Sequence, residues 1–350
     1  MLKTCAALLI DAVTAPLSAW PRRAVGLWLW LLVPAALAQG DALPRLDAPL
    51  LLLGEVHDNA AQHALRLRAL QAVIDRGARP ALLLEMVDRE RQAAIDTVQR
   101  PFATQGTVST ASTATATATN TGISTSAAIA TVTTPATPAT PATASDDRAL
   151  ASRVDALIDA AGRSAGWHWP FYRPYLRLAL QHRLPIVAAN VSRADARRVI
   201  QLGLGATGFQ TEVPADIARA QALAIEDSHC GAIDAAMAAR LANAQVARDQ
   251  FMAGLIAAHA DRGVVLLAGN GHVRRDIGIP RWLAPDLRGR SHAVGYLETG
   301  DDSAAAYDEV VYVAPQVRPD PCADLRPSQP GPGPTSPFGA KPEARPGATP

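Results

Sequence analysis

The sequence predicts an α/β protein with a mainly parallel central sheet, helices on both faces, and a site at the carboxyl ends of the strands. Three observations lead there. Short, continuously apolar runs recur, such as Leu50-Leu51-Leu52-Leu53 and Val264-Val265-Leu266-Leu267, and a strand apolar on both faces is one covered on both sides. Stretches with helical spacing separate these runs, the pattern of βαβ units. Four of the runs end in polar residues: Glu55 and His57, Glu85, Asn190, and Asn270 with His272. In open α/β sheets the ligand crevice lies at that edge.

Taken in order, Pro49 to Leu53 reads as a strand ending in Gly54-Glu55. Ala60 to Arg76 has helical spacing and Gly77 stops it. Ala81 to Leu84 is a second strand, ending in Glu85-Met86, and a helix follows to about Gln99. Helices are expected at Ala149 to Ala161, Arg173 to His182, Arg193 to Leu202 and Ala232 to Ala260. Pro185 to Ala189 and Gly263 to Ala268 are strands, and residues 291–297 and 309–313 are late ones. Residues 103–144 are almost wholly small or Thr-rich, as in Thr113-Ala114-Thr115-Ala116-Thr117-Ala118, with no charge. Such a segment has no amphipathic period and reads as a disordered insertion; a Pro/Gly-rich tail over 318–350 reads likewise. The insertion splits one domain, 45–100 plus 148–316, because chemistry-bearing segments lie on both sides of it.

Residues 1–38 read as a secretory signal. Arg22 and Arg23 precede the apolar run Ala24 to Ala38, which ends in the small-residue pattern Ala36-Leu37-Ala38 before Gln39. The run is shorter than the roughly 20 residues that span a bilayer. The expected location is the periplasm or cell envelope. No cysteine closes the run, so a lipid anchor is not supported. Cys5 would leave with the signal, and an oxidising compartment would let Cys230 and Cys322 pair. The net charge is +1, which speaks against nucleic acid as a partner. Of 33 basic residues only Lys3 and Lys341 are lysine. Codon bias accounts for that, and so does a use for arginine forks on carboxylates or phosphates.

Two carboxylates and two histidines at strand ends are the main chemical signal. A histidine beside carboxylates acts as a general base or binds a divalent metal, so Glu55, His57, Glu85 and His272 are candidates for both. The competing reading of the first loop is that Asp58 or Asn59 caps the next helix. Gly269-Asn270-Gly271-His272 can offer backbone amides to a ligand, and Arg274 and Arg275 follow it. Gln245, Arg248, Asp249 and Met252 share one face of the long helix, which either lines a polar cleft or faces solvent. His63 reads as a helix-face residue. Trp167-His168-Trp169-Pro170-Phe171-Tyr172-Arg173-Pro174-Tyr175 is the densest aromatic stretch, a core corner or a platform for a flat ligand.

Six segments in order, Leu52-Leu53-Gly54-Glu55-Val56-His57-Asp58-Asn59, Leu83-Leu84-Glu85-Met86, Ala188-Ala189-Asn190, Asp227-Ser228-His229-Cys230-Gly231, Ala244-Gln245-Val246-Ala247-Arg248-Asp249 and Ala268-Gly269-Asn270-Gly271-His272-Val273-Arg274, resemble the ChaN-like haem-binding uptake proteins. These belong to the wider group of Tiki and TraB proteases and erythromycin esterases. The resemblance covers about residues 45–315 apart from the insertion. It implies an exported α/β protein of haem or iron uptake, with outer-membrane uptake machinery as a partner and haem as cofactor. It implies haem held noncovalently by a tyrosine, here Tyr172 or Tyr175, with Arg173, Asn270 and Arg274 beside it, and a homodimer with haem between protomers. The wider group implies a metal or general-base site at Glu55, His57, Glu85 and His272, hence the alternative of a metal-dependent esterase or peptidase. The missing lipid-anchor motif, the Thr/Ala insertion and the Pro-rich tail depart from the family pattern.

Overall fold

A computed structural model describes residues 43–100, 144–163, 166–320, 322 and 323. The expected signal over 1–38, nearly all of the insertion and most of the tail lie outside the described residues. The described part has six strands: β1 (Leu50–Leu53), β2 (Ala81–Asp88), β3 (Ile186–Asn190), β4 (Val264–Leu267), β5 (Ser291–Glu298) and β6 (Glu309–Val313). All pair in parallel, in the order β3-β2-β4-β1-β5-β6. Helices α1 (Ala60–Asp75), α2 (Gln92–Gln99), α3 (Ala144–Ala160), α4 (Trp169–Gln181), α5 (Arg193–Leu202), α6 (Ala215–Ser228), α7 (Ala235–His259), α8 (Asn270–Val273) and α9 (Pro285–Arg290) complete it. Among the described residues no helix is long and apolar enough to cross a membrane.

Strand side chains alternate between two cores, as the period of two requires. Leu51, Leu53, Leu82, Leu84 and Met86 pack with α1, α3 and α4. Leu50, Leu52, Ala81, Leu83 and Leu266 pack with Met252, Ala253 and Ile256 of α7. A smaller cluster of Val199, Ile217, Val246 and Ala247 joins α5, α6 and α7. The strands at the centre end level, since Leu53 and Leu84 both register with Leu267 of β4. The next residues of β1, β2 and β4 therefore lie side by side. Gly54 is forced by that crowding: a Cβ there would stand 2.2 Å from Asn270 Oδ1 and 2.8 Å from Val273 Cγ2.

Helix α4 begins at Trp169, four residues before the expected start. Pro170 sits in its first turn, where a missing N–H leaves no bond unmade, and Pro174 is accommodated inside. Helix α6 has no counterpart in the sequence reading, because among the buried positions it offers only Ile217 and Gln221. It closes at Cys230 and Gly231, both with positive φ. The chain does not leave the fold at Arg318, the expected start of the tail. Arg318 forks onto Asp58 at 2.5 and 2.7 Å and onto Glu298 at 2.7 and 2.8 Å. Beyond it Cys322 is disulfide-bonded to Cys230. Residues 314–320 thus form a strap from β6 past the Asp58 loop, and Cys322 joins it to the end of α6.

Candidate functional site

Glu55 follows β1 with the parity of Leu51 and Leu53, so it turns toward α1 and α4. Its carboxylate is wholly buried and ion-paired with the guanidinium of Arg66, itself 0% exposed. Tyr172 Oη donates to Glu55 Oε1 at 2.6 Å, and His57 Nδ1 donates to the same oxygen at 2.8 Å. Arg66 also donates to the carbonyl of Leu53 (2.9 Å). His63 is not a free helix-face residue: it is buried, its Nε2 donates to the carbonyl of His57 (3.0 Å), and its Nδ1 lies 3.4 Å from Glu55 Oε2. Burial holds His63 below its ordinary pKa, which keeps it neutral.

Glu85 has the parity of Ala81 and Leu83 and turns to the opposite face, toward α7. There it accepts from the Gly269 amide (2.7 Å) and stands 3.4 Å from His272 Nε2. The other ring nitrogen, His272 Nδ1, bonds Asp249 Oδ1 of α7 at 2.6 Å. The imidazole is therefore clamped between two carboxylates. Burial works against its charge, but Glu85 and Asp249 outweigh it and raise His272 to about 10. Burial works to raise Glu85, yet His272, His57 and the Gly269 amide hold it at about 2. Asp249 is pushed up to about 6 by burial, with His272 opposing. The two carboxylates thus favour the protonated ring, and both of its nitrogens face them.

His57 stands at the seam between these two sets. Its side chain is 46% exposed, its Nδ1 is engaged by Glu55, and its edge meets Trp167 with ring centroids 4.6 Å apart. Partial burial lowers its pKa, with Glu85 opposing. A Cβ on Gly269 would come within 3.0 Å of His57 Cε1, so glycine there lets the ring lie over the loop. A cleft opens around it in two lobes of about 390 and 310 Å³, within the range of ligand pockets. His57, Gln245 and His272 line both lobes; Gln221, Ile225 and Gly271 line the first, and Glu85, Trp167, Asn190, Arg193 and Arg248 the second. Of the mixed stripe of α7, Gln245 and Arg248 thus line a cleft, while Asp249 and Met252 are buried.

The structure divides the four candidate acid and histidine positions. Glu55 and Glu85 point to opposite faces of the sheet, and among the described residues no three His, Cys, Asp or Glu side chains are grouped so as to hold a metal ion. The expected divalent-metal set of Glu55, His57, Glu85 and His272 is not assembled. The competing capping reading also holds, since Asn59 Oδ1 accepts from the amides of Ala61 and Gln62. Tyr172 and Tyr175 are each 1% exposed, and neither lines the cleft. Tyr175 Oη donates to the carbonyl of His63 (2.6 Å), and burial pushes its pKa up to about 12. Burial raises Tyr172 as well. Arg173 is spent on Asp155 and Arg274 on Asp276. Asn270 lines the first lobe, but its amide is fixed on the backbone of Tyr296 (2.7 and 3.2 Å).

Arg66 and Asp249 carry as much of this arrangement as the residues the motifs singled out. The signal for Arg66 is a charge within the apolar stripe of α1, between Gln62 and Leu70 at steps of four. The family described as haem-binding uptake, Tiki superfamily, ChaN matches residues 45–283. The chain belongs to that family. No curated protein matches it. Among solved structures it is similar to the ChaN of Campylobacter jejuni, described as showing cofacial heme binding, with TM-score 0.52 and 18% identity over 76% of this chain and 87% of that one. That likeness is one of fold. Within the family's fold, the level ends of β1, β4 and β2 are what bring His57 beside Glu85 and His272.

Proposed function

We propose that this chain is an exported protein that holds haem noncovalently in the cleft at its strand ends and serves haem or iron uptake. The observation that carries the reading is the family match over residues 45–283. The residues of the cleft suit the group. A haem asks for a donor atom to iron, a flat apolar wall, and cations for its propionates. His57 offers Nε2, which has no protein partner among the described residues while Glu55 holds Nδ1, the arrangement that orients a ligating imidazole. Trp167 offers the wall, and Arg248 and Arg193 line the same lobe. The bound haem would supply the iron; the chain binds it, orients it and shields one face. Tyrosine ligation would ask Tyr172 or Tyr175 to leave its buried bond, so His57 is the side chain we place at the iron.

Export to the periplasm or cell envelope is supported by the signal-like pattern of residues 1–38 and by the Cys230–Cys322 disulfide, a bond that persists in oxidising compartments. Pairing of two copies across the haem and delivery to outer-membrane machinery belong to the same proposal. The test is a haemin titration of the purified chain followed by absorbance. A saturable Soret shift is expected, lost in His57→Ala and kept in Tyr172→Phe and Tyr175→Phe. Loss confined to a tyrosine variant would return the iron to α4. No saturable shift in the wild type would remove the haem reading.

A further inference from the structure

The charges lining the second lobe of the cleft are not all accounted for. Arg248 of α7 donates from Nε to Asn190 Oδ1 (3.2 Å) and from Nη1 to Gln245 Oε1 (3.2 Å). Both acceptors are neutral amides. Four arginines near the cleft or its loops end on carboxylates: Arg66 on Glu55, Arg89 on Asp195, Arg274 on Asp276, and Arg318 on Asp58 and Glu298. Among the described residues Arg248 has no carboxylate within ion-pairing distance, and its Nη2 meets no acceptor. The nearby acids are engaged elsewhere. Glu85 is held by the Gly269 amide and His272, and Asp88 accepts from the amide of Asn190 at 3.0 Å. The chain thus fixes a guanidinium with two amides and leaves its outer edge toward the space shared by His57 and Trp167.

From this we infer that Arg248, held by Asn190 and Gln245, is the seat for a carboxylate on a flat ligand whose body lies against Trp167. A planar fork of donors recognises a carboxylate in two parallel bonds, and a half-buried site strengthens each bond relative to water. Asn190, itself buried at a strand end, positions the guanidinium rather than touching the ligand. The inference rests on the haem reading, in which the carboxylate is a propionate, but the geometry asks only for a flat acid.

The experiment is a double comparison on the full chain. Wild type and Arg248→Gln are each titrated with haemin, haemin dimethyl ester, protoporphyrin IX and protoporphyrin dimethyl ester, read by absorbance and by quenching of tryptophan fluorescence, with urea unfolding of both proteins alongside. The wild type should bind each acid about 10- to 100-fold tighter than its ester, the range of one charge-assisted pair. Arg248→Gln should lose most of that preference, with ester affinity unchanged. A variant that keeps the wild-type preference would overturn the assignment. So would one that weakens acids and esters equally, because that marks a structural role for Arg248. Arg248-dependent preference for the metal-free acid, with no iron-dependent spectrum, would uphold the seat and remove the haem reading. Failure of all four probes to saturate the wild type would overturn both.

Discussion

Replacing Arg66 by methionine tests the account of Glu55 most directly. Arg66 and Glu55 are both 0% exposed at their side chains, and they are paired. Methionine keeps much of the stem's volume and removes the charge. What remains is a buried carboxylate with Tyr172 Oη and His57 Nδ1 as its partners, and a Leu53 carbonyl that has lost its donor. His63 Nδ1 lies 3.4 Å from Glu55 Oε2, but burial works against its taking up the charge. Breaking one side of such a pair costs about 3–5 kcal/mol. Against a total of roughly 5–15 kcal/mol that is a large share, and it corresponds to a drop in Tm of roughly 6–20 °C for a domain of this size. Removing both charges together leaves no orphan, so Glu55→Gln with Arg66→Met should recover at least about 2 kcal/mol relative to the sum of the single variants. The assay is urea unfolding by circular dichroism on the four proteins of the cycle. If Arg66→Met costs under about 1 kcal/mol, or the double variant is no better than the sum, the pair is not the buried anchor described here.

Four further variants test other parts of the structure. His272→Gln should destabilise the chain near neutral pH. Its folded pKa of about 10 lies above its unfolded value, so its contribution is complete below about 6.5 and fades as pH rises toward 10; urea midpoints of the two proteins should converge there. Glu85, held at about 2, contributes above about 4.5 and loses that contribution as pH falls toward 2, so Glu85→Gln and wild type should converge in acid. Gly269→Ala should displace the His57 ring, since the new Cβ would lie 3.0 Å from its Cε1; the NMR shifts of His57 should move while stability falls by about 1–3 kcal/mol, and unmoved shifts would contradict the packing. Cys322→Ser opens a covalent loop with a sequence separation of 92, for which chain entropy allows a loss of at most about 4–5 kcal/mol; an unchanged unfolding midpoint would mean the strap adds nothing.

All six strands stand close to where the sequence puts them, because each is an apolar run framed by turn residues. What it conceals is direction. Glu55 and Glu85 look equivalent as acids after strands, yet Leu53 and Leu83 belong to different cores, and each acid inherits the face of the leucine two residues before it. Counting that parity would have separated them. The α7 stripe was visible as a stripe, but only the fold decides between cleft and solvent. Tyr172 and Tyr175 were placed at the haem by the family resemblance, which says nothing about where a hydroxyl ends in this chain, and here each ends on a partner inside the core. Cys322 could be matched to Cys230 only once the strap was traced, since nothing local couples residues so far apart.

The strap is held by two fasteners that answer to different properties of the surroundings. Arg318 grips Asp58 and Glu298 through partly exposed charges, and concentrated salt, which shortens the screening length to about 3 Å at 1 M, weakens such contacts. The bond from Cys322 to Cys230 is indifferent to salt and yields only to a thiol reductant. Brine alone leaves the segment tethered at its far end, and reductant alone leaves it clamped beside His57. Both must act together to lift it, so the loop that carries His57 keeps one of its supports through a change in either condition alone.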